Sequence, residues 1–240
     1  AEFDSSSLGS ADIATFPDYL VCIAAGRTDA PENAMLMEVL SSGLPIKVLV
    51  QTAEVLEAAP AGDGQLVFGV RGAQLASTAL GLDNVFVLQS GSSNLYQFRQ
   101  RIQSGVGYAG PALFSVFSGS SAPGSLLPPY LSAAAAMQAR AFPAFTCNPG
   151  SGSDWASRFS MEDNPQPGLD WPVENFAYSD EELQRVNEQV AFTLVDFAAT
   201  DRRHARYFAR IARSYWNANM VTVEQWLSLG AAEQEGKVPY

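Results

Sequence analysis

A chain of 240 residues, 47 % of them hydrophobic, is long enough for one large or two small domains with a true core. Its formal net charge of −11 disfavours nucleic acid and anionic membranes as partners, and no apolar run reaches the roughly 18–20 residues that span a bilayer. With Cys22 and Cys147 the only cysteines and His204 the only histidine, a disulfide framework, an iron–sulfur cluster and a transition-metal site are all disfavoured.

Residues 1–16 open on a serine-rich stretch and read as a linker or the edge of a piece from a longer polypeptide. No basic segment followed by an apolar one stands there, so no signal peptide is expected and a reducing cytoplasm fits. Residues 17–146 read as an α/β core. Tyr19 to Ala24 is a buried strand with Cys22 as a small core residue. Pro31 stands at the N1 position of a helix from Glu32 to Leu40, and Ser41-Ser42-Gly43 stops it. Ile46 to Val50 is the second strand, and residues 58–64 form a flexible turn that holds Gly62-Asp63-Gly64. Gly72 to Leu80 reads as a helix, Asn84 to Leu88 as the third strand, and Ser93 to Ile102 as a helix with Leu95, Phe98 and Ile102 apolar. Pro111 to Phe117 is the fourth strand, and the alanine-rich Ser132 to Arg140 is helical. Continuously apolar strands alternating with helices predict a parallel sheet covered on both faces.

The pattern changes afterwards. Residues 147–178 hold prolines at 149, 165, 167 and 172 with Trp155 and Trp171 among them, which predicts an extended arm pinned by its tryptophans. Ser179-Asp180-Glu181-Glu182 has the form of a capping box, and Leu183, Val186, Val190, Leu194 and Phe197 follow near a 3.6-residue period. A second helix over Asp201 to Arg213 and a third opening near Thr222 complete a helical extension over residues 179–240.

Candidate chemistry is sparse. There is no Gly-x-Gly-x-x-Gly or Walker A pattern. His204 lacks a Gly-x-Ser-x-Gly elbow and reads as an exposed helix histidine. Arg202, Arg206, Arg210 and Arg213 recur at helical spacing. They form either a docking surface for an acidic partner or neighbouring domain, or a solvated face paired with the protein's own carboxylates. Trp155, Trp171, Trp216 and Trp226 read as internal anchors or, alternatively, as contacts for a neighbouring domain.

A further pattern lies in the order of short motifs. Ala24-Ala25-Gly26 follows the first strand, and Thr52-Ala53-Glu54-Val55-Leu56-Glu57-Ala58 follows the second. Leu82 to Val87, Tyr108-Ala109-Gly110-Pro111 and Phe117-Ser118 come later, with Ser120 beyond them. From Val21 to Ser120, and more loosely on to Asn148-Pro149 and Asn164-Pro165, this order resembles the thiamine-pyrophosphate domain of the pyruvate:ferredoxin (2-oxoacid:acceptor) oxidoreductases. In that family a Gly-Asp-Gly and an Asp-Thr-Glu-Val-Tyr-Ser-Asn stretch occupy the first two positions and hold magnesium and diphosphate. Here Ala25 and Ala58 stand where the family's metal-binding Asp and Asn would, and a methyl group cannot coordinate a hard cation.

The resemblance implies a thiamine-diphosphate-binding fold whose motifs are degenerate, with no cofactor expected in this chain although the family uses thiamine diphosphate and Mg. A vestigial pocket would be lined by Gly26, Arg27, Glu54, Ser118 and Ser120. Arg27 reads either as a grip on phosphate in place of the metal or, more simply, as a loop arginine. The function implied is a non-catalytic structural or assembly module, whose partners are other domains or subunits of a larger oxidoreductase. The alternative is a cofactor-binding part of an active enzyme, with an altered or partner-completed site.

Overall fold

The computed structural model describes residues 9–13, 15, 19–24, 30–60, 66–70, 73–119, 124–180 and 182–240. In chain order the first elements are α1 (Ser10–Ile13), β1 (Tyr19–Ala24), α2 (Ala30–Ser41), β2 (Ile46–Thr52), β3 (Leu56–Pro60) and β4 (Leu66–Val70). Then come α3 (Ala73–Ala79), β5 (Phe86–Gly91), α4 (Arg99–Val106), β6 (Ala112–Phe117), α5 (Pro129–Gln138) and β7 (Phe145–Cys147). The remainder is α6 (Trp155–Arg158), β8 (Phe159–Ser160), β9 (Val173–Ser179), β10 (Arg185–Ala191), α7 (Leu194–Ala199), β11 (Met220–Val221), α8 (Val223–Ser228), α9 (Ala231–Gln234) and β12 (Val238–Pro239).

Six strands form one sheet in the order β1-β2-β6-β5-β7-β8. The first four are mutually parallel, and β7 and β8 add antiparallel at the far edge. Stepping from β1 to β2 to β5 runs one way across the sheet, and β5 to β6 steps back. Right-handed crossovers then require α4 on the face opposite α2 and α3. Side-chain alternation agrees. Val48, Val50, Val87 and Leu113 pack with Leu36 and Leu40 of α2 and Ala76 and Ala79 of α3. Leu49, Leu88 and Phe114 turn the other way, toward Phe98 and Ile102. All six residues of β5 are buried, its apolar Phe86-Val87-Leu88 half and its polar Gln89 and Ser90 alike. The expected parallel α/β sheet is therefore present, with antiparallel strands added at one edge.

Several expectations are corrected. Cys22 is exposed, because β1 is the sheet's edge and pairs only with β2 among the described strands. Residues 58–60 are not part of a turn: β3 and β4 form an antiparallel hairpin that sets Ala58 opposite Phe68. Gly62-Asp63-Gly64 lies outside the described residues. The helix expected from Ser179 is a β-hairpin, with β9 and β10 paired from Val173↔Ala191 to Ser179↔Arg185. Asp180 caps a turn rather than a helix, since its Oδ1 accepts from the amides of Glu182 and Gln184, and Leu183 sits at φ 62°. A short aspartate competes well for local amides, and valine at 186 and 190 favours the pleated strand. The capping box falls later, where Thr193 and Asp196 cap α7.

The arm is pinned by polar groups. Arg140, at φ 56°, donates to the carbonyls of Pro165, Gln166, Leu169 and Asp170. Buried Asn164 accepts from the Ala144 amide at 2.8 Å and donates to the Ala144 and Met161 carbonyls. Trp155, expected as an anchor, is 55 % exposed and meets the Phe159 ring at a tilt, with centroids 5.4 Å apart. The last sixty residues are not a helical layer: short helices, 3-10 turns, the hairpin and a parallel β11–β12 pair make them up.

Candidate functional site

Ligands of open parallel sheets bind beyond the carboxyl ends of the strands. In this chain the central carboxyl ends belong to β2 and β6, and both expected pocket residues with described positions lie there. Glu54 stands two residues past the end of β2, and Ser118 directly follows β6. The two ends are tied together: the Ser118 amide donates to the Thr52 carbonyl at 3.0 Å, and the Ser118 hydroxyl donates to the same oxygen at 3.3 Å. Gly26, Arg27 and Ser120, with Ala25, lie outside the described residues.

The crevice is filled from within the chain. Val55, Phe117, Ala133, Ala136, Phe142 and Phe197 form one buried cluster across it. The segment after α7 closes the rim. Arg202 donates its amide to the Gly124 carbonyl, and Leu126 donates to Thr200, so this segment is stitched to the chain entering α5. Asp201 caps the following 3-10 turn through the Arg203 amide and grips the Arg203 guanidinium at 2.6–3.1 Å. The other side of that guanidinium reaches Glu54 Oε1 at 2.7 Å. Glu54 is thereby engaged by Arg203. A cavity of about 20 Å³ remains, lined by Glu54, Phe117, Ser132, Phe197 and His204 among others. That is room for about one water molecule.

The charges follow from this geometry. Burial pushes the Asp201 carboxyl up, but hydrogen bonds from Arg203 outweigh it and leave it below the ordinary aspartate value. The bond to Asp201, joined by that to Glu54, raises Arg203 further. Cys147 is buried, and burial lifts its thiol above the ordinary range, which makes it a core residue rather than a nucleophile.

Two expected features are corrected here. His204 is buried, not an exposed helix residue, because its turn folds over the carboxyl ends of β2 and β6. Arg202, Arg206, Arg210 and Arg213 do not form a helical stripe. The 3-10 turn spans Arg202–Tyr207 and repeats every three residues, so positions four apart do not align. Phe208 is already extended at φ −120° and ψ 133°, which puts Arg210 outside the turn. Arg206 instead lies over the Tyr207 ring at 4.9 Å.

A second cavity, of about 330 Å³, opens on the α4 face of the sheet, where Leu20, Leu49, Val116, Leu95, Ile102 and Val106 line it. Its one charged residue, Lys47, is buried and donates to the carbonyls of Tyr108 and Gly110. A lysine inside the apolar run Ile46 to Val50 is a signal that a backbone acceptor pair lies across from it. The cavity is apolar and lies away from the carboxyl ends.

The cavity in the described part of the crevice is about 20 Å³, against about 300 Å³ or more in ordinary small-molecule sites. Glu54 is already engaged, and Ala58 lies within a hairpin strand. Among the described residues no group of three or more His, Cys, Asp or Glu is placed to hold a metal ion, and no helix is long and apolar enough to cross a membrane. No protein-family model matches the chain, and no curated protein matches its sequence.

Proposed function

We propose that this chain is a non-catalytic α/β module of a 2-oxoacid:acceptor oxidoreductase-like protein, serving packing and assembly with neighbouring domains or subunits. The observation that carries the non-catalytic part is the closure of the β2/β6 crevice by the chain's own residues. Arg203 occupies Glu54, and Phe197 packs in the cluster that includes Phe117. The relation to the oxidoreductases rests on the collinear motifs from Val21 to Ser120, with Glu54-Val55 kept and alanine at 25 and 58.

The test is isothermal titration calorimetry of the chain with thiamine diphosphate, with and without magnesium. The proposal expects no binding heat in either condition. Saturable magnesium-dependent binding would show a working site and sink the non-catalytic reading.

A further inference from the structure

After His204 no described side chain is buried, although the segment is well furnished with large apolar groups. Phe208, Ile211 and Tyr215 are 36 %, 46 % and 73 % exposed, Phe208 in extended backbone and Tyr215 at the end of a short 3-10 turn. Residues 202–213 also hold five arginines and no acidic residue, in a chain whose net charge is −11; Arg203 is taken up by Asp201 and Glu54, while Arg202, Arg206 and Arg210 are exposed. An exposed strip that is both apolar and basic is a surface suited to covering by an acidic, aromatic one.

The same chain carries that counterpart. In the β9–β10 hairpin no described side chain is buried. The register pairs Glu174 with Val190, Phe176 with Glu188, and Tyr178 with Val186, so these six residues share one face. Phe176 is 57 % and Val190 45 % exposed, and the Phe176 and Tyr178 rings lie 5.6 Å apart. Residues 173–191 hold five acidic residues against one arginine. The exposure of both surfaces shows that they do not cover one another within one chain.

We infer that two copies of this chain associate, each laying its basic apolar segment over the partner's acidic aromatic hairpin face. A two-fold axis makes the two contacts equal and covers both surfaces of both copies at once. Charge sets the pairing, and the aromatic and aliphatic groups supply the desolvated area. The hairpin face and the side chains of Phe208, Ile211 and Tyr215 are not among those that line the β2/β6 crevice, so the inference can fail without touching the calorimetric result.

The test is the mass of the full chain in solution, by light scattering on a sizing column at micromolar concentration and low salt. Phe176→Ala and Ile211→Ala are run beside it, with circular dichroism confirming that both exposed-site variants fold. The expected result is twice the chain mass for the parent and about a tenfold or greater loss of dimer affinity in each variant. A monomeric parent, or a dimer that either variant leaves as tight as before, would overturn the inference.

Discussion

Arg203 Nη1 lies 2.7 Å from Glu54 Oε1, joining residues 149 positions apart in the chain. The contact ties the end of β2 to the turn after α7, and its other half is the grip of Asp201 on the same guanidinium. It places a charge pair where a parallel sheet would otherwise offer an open crevice.

Because Arg203 and Glu54 are each 41 % exposed, solvent screens their pair. Glu54→Gln, which weakens this pair and keeps the grip of Asp201 on Arg203, is expected to cost about 1 kcal/mol or less, read from urea unfolding midpoints. Rising salt should shrink the difference between parent and variant.

Acid stability carries the second signature. Asp201 sits below its ordinary 3.8 in the folded chain. Its stabilising effect is present above that value and is lost as pH falls through the lower folded value. Melting temperature should therefore drop as pH falls below 3.8 partly on account of Asp201, and Asp201→Asn should flatten that part of the curve. An identical acid slope in the variant would contradict the assignment.

Gly119→Ala should be far more damaging. Gly119 lies at φ +86°, and an added Cβ would stand 1.9 Å from the Pro129 carbonyl oxygen. Strain and overlap with backbone together predict a loss of about 3 kcal/mol or more, seen as a lower unfolding midpoint or an insoluble product.

Asn164→Ala tests the pinning of the arm. The side chain satisfies both the amide and the carbonyl of buried Ala144. Removing it strands two backbone groups and is expected to cost about 3 kcal/mol. Amide exchange should quicken through residues 161–172 before it does so in β5.

What could be read from residue order divides along physical lines. Phe86 to Leu88 is apolar and buried on both faces, so it reads unambiguously as a central strand, and the apolar triplets Val48 to Val50 in β2 and Ala112 to Phe114 in β6 read the same way. Tyr19 to Ala24 has the same look, yet it lies at an edge, because a run of apolar residues does not say how many neighbours a strand has. Leu183, Val186, Val190, Leu194 and Phe197 fit a helical period by coincidence across a turn, β10 and α7. The alternation of Phe176 and Tyr178 before that turn, facing Glu188 and Val186, was the contrary signal. Of the candidate site, Glu54 and Ser118 follow the carboxyl ends of β2 and β6. The burial of His204 and the role of Arg203 had no local signature, since both depend on a segment returning over the sheet from far along the chain.

The most direct measurement is an amide NMR titration of the chain with thiamine diphosphate and magnesium, following Glu54, Val55 and Ser118. A crevice already filled by Arg203 and Phe197 predicts that these amides do not move at millimolar ligand. Saturable shifts concentrated at these three residues would mean that the crevice opens to the cofactor and would contradict the account.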